Sequence, residues 1–252
     1  MTPIAALLIA FLGAAMGSFA ALVAERLVRG EGFVTGRSLC RGCGTPLRAR
    51  DLVPLLSYPL LRGRCATCGA GIPGVLWHAE ILGALIGMGA LAVAPDPGRA
   101  ALLAGWGWGL LALAVADLRW FRLPDALVLL VAALGLALVW AGDGSGWPPL
   151  GWRLQQAAIG ALAGGGAFWL IRALYRWRTG RDGMGAGDVK LMAALGLALG
   201  AERLPLVVLV AALSALALSA LRAWRKGRPL TRLGRVPFGA ALALAAIVVA
   251  LL

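Results

Sequence analysis

The feature that most limits this chain is a succession of apolar runs, each near the length of a bilayer crossing. A hydrocarbon core about 30 Å thick calls for about 20 apolar residues in helical form. Eight stretches meet or approach that length: 3–24, 75–94, 99–117, 124–141, 154–174, 187–200, 203–221 and 236–252. In lipid every backbone polar group must be satisfied inside the segment, so apolar runs of this length are read as helices. Composition supports this, because 61% of the 252 residues are hydrophobic and 14% are charged. No soluble core of this size could bury so much apolar surface. The expected fold is an all-α polytopic membrane protein with about eight transmembrane helices. Turn residues separate the runs, as in PDPG at 95–98, GDGSGWPP at 142–149 and the stretch from Glu202 to Pro205. The run at 187–200 is short for a span.

The net charge of +13 would fit a nucleic-acid partner, but the basic residues sit in short loops between apolar runs. Membrane lipid, and not nucleic acid, is the partner that this placement indicates. If alternate loops are cytoplasmic, 25–74 holds eight Arg and 118–123 holds two. Loop 172–190 then holds five basic residues and 222–235 holds six, which makes 21 of the 24 Lys and Arg. The opposite side keeps only Arg99, Arg153 and Arg203. This asymmetry puts the 25–74 loop on the cytoplasmic side and both termini outside. No basic stretch precedes the first apolar run, so we expect a retained span and not a cleaved signal. The domain reading is a first helix at 1–24, a cytoplasmic loop domain at 25–74 and a block of about seven helices at 75–252. Gly13/Gly17, Gly83/Gly87, Gly160/Gly164 and Gly196/Gly200 have the spacing that lets helices approach closely in lipid. Trp120, Trp147, Trp152, Trp177 and Trp224 fall near span ends, as in an interfacial aromatic belt.

Four cysteines occur as two CxxC pairs, Cys40/Cys43 and Cys65/Cys68, each followed by glycine. Two such turns aim four thiolates at one point, which suits a closed tetrahedral zinc site. On the cytoplasmic side stable disulfides are not expected. A structural zinc ion would let a loop of this size fold as a small zinc-ribbon-like unit without a large core.

Two aspartates border apolar runs, where ionisable groups are costly to place and are read as functional. Asp117 closes one run and opens the string DLRWFRLPD; Asp188 closes GMGAGD at the start of another. Charge counting puts both at the cytoplasmic boundary. Carboxylates brought together there can share a proton and activate water. Gly183, Gly185 and Gly187 permit close backbone approach and an unwound helix start beside a cavity. Asp125 is the rival of Asp117, but after Pro124 it reads as an N-terminal cap. Lys190 reads as an interfacial side chain reaching toward water, and His78 as a neutral interfacial histidine.

Together these strings resemble the type IV prepilin peptidases, bifunctional leader peptidase and N-methyltransferase enzymes of bacterial pilus and type II secretion systems. The resemblance rests on GSF at 17–19, the paired CxxC turns, LLSYPLLRGRC at 55–65, the Asp117-to-Asp125 string and GMGAGDVKL at 183–191. It implies catalytic roles for Asp117 and Asp188, an active-site loop through Gly185 and Gly187, and location in the bacterial inner membrane. It implies prepilin or pseudopilin substrates with short basic leaders, which Glu25, Glu31 or Asp51 could attract. It also implies methylation by S-adenosylmethionine, with Glu80 as a cofactor-binding candidate. The family's Asn and Pro in the N-terminal strings are here Ala21 and Val28. A peptidase without methyltransferase activity is therefore one alternative, and a non-catalytic zinc-loop scaffold or transporter is another.

Overall fold

A computed structural model describes residues 3–32, 38–142, 148–226 and 236–252. Trp147 and most of the basic 222–235 loop lie outside the described residues. The elements run α1 (Pro3–Arg29), a 3₁₀ turn (Ala49–Leu52), α2 (Ser57–Leu60), α3 (Gly74–Val93), α4 (Pro97–Trp120) and α5 (Asp125–Ala141). They continue with α6 (Leu150–Thr179), α7 (Ala186–Leu199), α8 (Leu204–Lys226) and α9 (Phe238–Leu251). The eight long helices coincide with the eight apolar runs. By length and composition, α1, α3, α4, α6 and α8 suffice to cross a membrane, while α5 and α9 are shorter apolar helices. No strand forms among the described residues, and the cysteine loop shows only bridge-length antiparallel pairing there. It has two isolated bridges, Leu39 with Pro46 and Arg64 with Gly71.

Glycine decides which helices touch. A Cβ at Gly17 would run into the carbonyl of Ala79, and one at Gly13 would stand 2.9 Å from the Cα of Ala84. These two positions let α1 lie backbone to backbone along α3. Gly160 and Gly196 meet in the same way and join α6 to α7. Such close approach replaces the hydrophobic drive that is missing in lipid. α4 forms the centre, with α1, α3, α5 and α9 packed around it. Leu110, Leu113 and Val115 are buried there with Trp106. α7 completes the group by touching α5, α6 and α9, and α8 leans on α9. Leu209, Leu213 and Leu216 of α8 face outward, as expected of a lipid-exposed surface.

Two local readings change. Asp125 does not cap α5: Pro124 holds the cap position, and Asp125 is the first helical residue. α6 runs beyond 174 because its basic last turns stay helical until Gly180, whose φ of 66° ends it.

Candidate active site

α4 carries Asp117 in its last turn. The helix ends three residues later at Trp120; the next residue, Phe121, adopts φ 52° and returns its N–H to the Asp117 carbonyl at 2.9 Å. This sharp stop lets Leu123 fold back beneath the start of α7. A Cβ at Gly187 would stand 3.0 Å from the Cβ of Leu123. Gly183 is needed for a similar reason, since the Tyr175 ring occupies the space beside it. Gly185 caps α7, and Asp188 lies in the first turn that follows.

The third contributor is α9. The Ala240 N–H donates to Asp117 Oδ2 at 2.8 Å. A Cβ built at Gly239 would meet Asp188 Oδ1 at 2.9 Å and Asp117 Oδ2 at 3.1 Å. The two carboxylate oxygens are therefore no farther apart than the sum of those distances. Asp117 is 6% exposed, which keeps its carboxylate out of bulk water. Sequence reasoning missed Gly239 and Ala240. Their signal was the string Pro237-Phe238-Gly239-Ala240, which opens an apolar run with a glycine in its first turn.

Asp125 is not part of this group. Its carboxylate accepts from Lys190 Nζ at 2.7 and 2.9 Å, and both side chains are more than half exposed. Lys190 thus ends in an ion pair.

The four thiols do come together, all within 4.8 Å of one another. A zinc ion 2.3 Å from four sulfurs requires sulfur–sulfur edges of about 3.8 Å, and Cys40 Sγ lies 3.8 Å from Cys68 Sγ. Each CxxC is a copy of the same turn. The Gly44 N–H donates to the Cys40 carbonyl and the Gly69 N–H to the Cys65 carbonyl, both glycines at φ 71°. Gly42 and Thr67 N–H groups point at Cys40 and Cys65 sulfurs. Main-chain donation from Cys68 and Thr67 pulls the Cys65 thiol down to about 6, which favours the thiolate. The described residues therefore fit one metal ion held by Cys40, Cys43, Cys65 and Cys68.

Glu80, on α3, is 9% exposed. Ser18 of the GSF string donates to Oε1 at 3.0 Å, and the Leu55 N–H donates to Oε2 at 2.8 Å. Leu55 has φ 66°, an unfavourable conformation for a branched residue. Glu80 and Trp77, whose indole donates to the Leu55 carbonyl at 3.3 Å, hold it there. Tyr58 stacks on Trp77 at 5.6 Å. Three separate sequence strings thus meet at one carboxylate. Each of its oxygens thus accepts one bond and keeps a second acceptor site. His78 returns to the Gly74 carbonyl at 2.7 Å.

The acids considered for a basic leader have internal partners. Glu25 pairs with Arg29 and Arg41 at 3.1 Å and with Arg119 at 3.7 Å; Glu31 pairs with Arg41, and Asp51 contacts Arg50. Glu25 thereby connects the first cysteine turn to the end of α4, two residues beyond Asp117.

Fold and site together define a helical membrane protein with two converging carboxylates, one buried and one half-buried, and a four-thiol loop. Residues 11–94 match the bacterial peptidase A24 N-terminal domain, and residues 106–220 match the type IV leader peptidase family. The prepilin leader peptidase/N-methyltransferase of Aeromonas salmonicida (strain A449) is 39% identical over 216 residues, covering 83% of this chain and 69% of that protein. The one from Burkholderia pseudomallei (strain 1026b) is 40% identical over 190 residues, covering 75% of this chain. The one from Neisseria gonorrhoeae is 37% identical over 202 residues, 76% of this chain and 64% of that protein. The chain spans 59% of the length of the Burkholderia protein. No solved structure matches it. The chain belongs to the type IV leader peptidase family and is an integral membrane protein.

Proposed function

We propose that this chain is a membrane aspartic endopeptidase that removes short basic leaders from prepilin-like or pseudopilin-like proteins and methylates the exposed amine. The observation that carries this reading is the convergence of Asp117 and Asp188 on the space beside Gly239 that a Cβ would fill. One carboxylate takes a proton from the attacking water, and the other gives a proton to the scissile carbonyl. The two titrate as one unit and are best described as a pair. The Ala240 N–H fixes the orientation of Asp117. Gly187 makes room for Leu123, whereas the space beside Gly185 faces the Asp188 carboxylate itself, where an extended substrate backbone can lie.

In this reading all eight long helices cross the bacterial inner membrane. The dyad and the cysteine turns face the cytoplasm and both termini lie outside, in keeping with the 21 basic residues on one side. The three domains are the helix at 1–24, the zinc-binding loop at 25–74 and the peptidase block at 75–252. Zinc would be held by Cys40, Cys43, Cys65 and Cys68, and supplies a cross-link between the two turns. S-adenosylmethionine supplies the methyl group in the second reaction. The printed names of the relatives, which join both activities, support that half of the reading. The role we give Glu80 is to hold the Leu55 turn against α1 and α3, with any cofactor contact made at that junction.

The test is co-expression with a processing-competent prepilin and analysis of the substrate's N-terminus by mass spectrometry. The wild-type chain should yield a shortened, singly methylated product. Asp117→Asn and Asp188→Asn should leave the leader attached while the protein still accumulates in the membrane. Normal cleavage by either variant would remove the dyad assignment.

A further inference from the structure

The three basic side chains that charge counting leaves on the far side, Arg99, Arg153 and Arg203, all line one cavity of about 460 Å³. That is within the size range of small-molecule sites, about 300–1,000 Å³. It lies at the other end of the bundle from the carboxylate pair. On α4, Arg99 precedes Asp117 by eighteen residues, about 27 Å along a helix rising 1.5 Å per residue. On α7 the pair lies at the first turn and the cavity at Gly200; on α9 the corresponding positions are Gly239 and Ala250.

The wall is built with fixed charge. Arg99 Nη1 donates to the carbonyls of Leu138 at 3.1 Å and Gly142 at 2.6 Å. Arg153 Nη1 donates to Val139 at 2.7 Å and Trp140 at 3.3 Å. These bonds close the C-terminal end of α5, whose last carbonyls have no helical partner, and hold both guanidinium groups in place. Arg203 is exposed, and its side chain has no hydrogen bond or ion pair among the described residues. Glu202 is the acid in the lining, set against three arginines. Much of the remaining wall is apolar, with Leu103, Leu138 and Leu197. Trp106 is also part of it, 1% exposed, and its indole N–H has no acceptor among the described residues. A buried donor left unmatched is destabilising, and an incoming oxygen atom would satisfy it.

We infer that this cavity binds the phosphodiester headgroup of an anionic membrane lipid. The arginines face the phosphate, an ester or phosphate oxygen accepts from Trp106, and an acyl chain covers the apolar wall. Guanidinium groups match phosphate oxygens in a planar, two-pronged fashion. Free phosphate shares the oxygen chemistry but leaves the apolar wall uncovered. The inference is independent of the peptidase reading.

The experiment uses the purified full chain in neutral detergent and follows its thermal midpoint. Phosphatidylglycerol in mixed micelles, phosphatidylcholine and inorganic phosphate are each titrated in. Phosphatidylglycerol should raise the midpoint saturably, and the other two should not. Arg203→Gln, at an exposed position, and Trp106→Phe, which removes one N–H, should each raise the half-saturating lipid concentration roughly tenfold, the effect of about 1.4 kcal/mol. An equal response to phosphatidylcholine or inorganic phosphate would overturn the anionic lipid as occupant. No response to phosphatidylglycerol, or an unchanged response in Arg203→Gln, would overturn the site itself.

Discussion

The carboxylate site and the cysteine site are built in opposite ways. The cysteine site is local: two turns of the same design, each closed by its own glycine, bring four thiols within 4.8 Å. Its geometry can be read from spacing because each half is fixed within a few residues. The carboxylate site is assembled from α4, α7 and α9, and nothing near Asp117 in the chain indicates where Asp188 will be. Its geometry depends on three helices packing closely, and so on glycines that let them do so. A local site should tolerate distant packing errors and fail when one ligand is lost. An assembled site should fail when a spacing residue changes, even if both carboxylates remain.

Gly239→Val gives the sharpest break between the two. Its side chain would enter the space between the carboxylates, where a displacement of about 1 Å can cost roughly 10²-fold in rate. Cleavage of a prepilin should fall by at least that factor, with zinc content unchanged by elemental analysis. Gly166→Ala is the control, because nothing lies within 4 Å of its Cβ position; it should cleave at the wild-type rate. Cys65→Ser makes the complementary break. Zinc content should drop from one ion per chain toward zero, and the 25–74 segment should become protease-sensitive, because metal binding contributes directly to folding at such sites. Cleavage should fall less than in Gly239→Val. Next in size is Gly17→Leu, which forces α1 away from α3 and loosens the Ser18–Glu80 bond. Overpacking of this kind costs about 1–3 kcal/mol, to be read as a lower thermal midpoint. The smallest effect is expected for Asp125→Asn. The pair with Lys190 is exposed, so its loss should cost about 0–1 kcal/mol and leave cleavage within threefold of wild type. A large loss of cleavage there would place Asp125, and not the pair at Gly239, in the reaction.

The same contrast sets how much was legible in the sequence. The apolar runs gave eight helices close to their observed bounds, since each is a local property of about 20 residues. The cysteine cluster was legible for the same reason, and among the described residues each turn is closed by a single antiparallel bridge. Asp117 and Asp188 stood out because charge is rare at the ends of such runs. Gly239 did not, because one more glycine in an apolar run looks like ordinary helix packing. Its meaning exists only once α9 lies between α4 and α7. The positive φ of Leu55 had no signal either, as it is imposed by Glu80 and Trp77 from another helix. The Asp125–Lys190 pair links residues that sequence reading treated separately, one as a cap and one as an interfacial cation.

The central claim is that Asp117 and Asp188 act as one unit, and a double-mutant cycle tests it most directly. Initial rates of leader removal from a prepilin are measured for the purified wild type, Asp117→Asn, Asp188→Asn and the double variant. Groups acting together are strongly non-additive. The prediction is that each single variant falls to the level of the double variant, at least about 10³-fold below wild type, within the range expected for lost acid–base catalysis. Modest single losses that multiply in the double variant would contradict the claim, because they would describe two independent carboxylates.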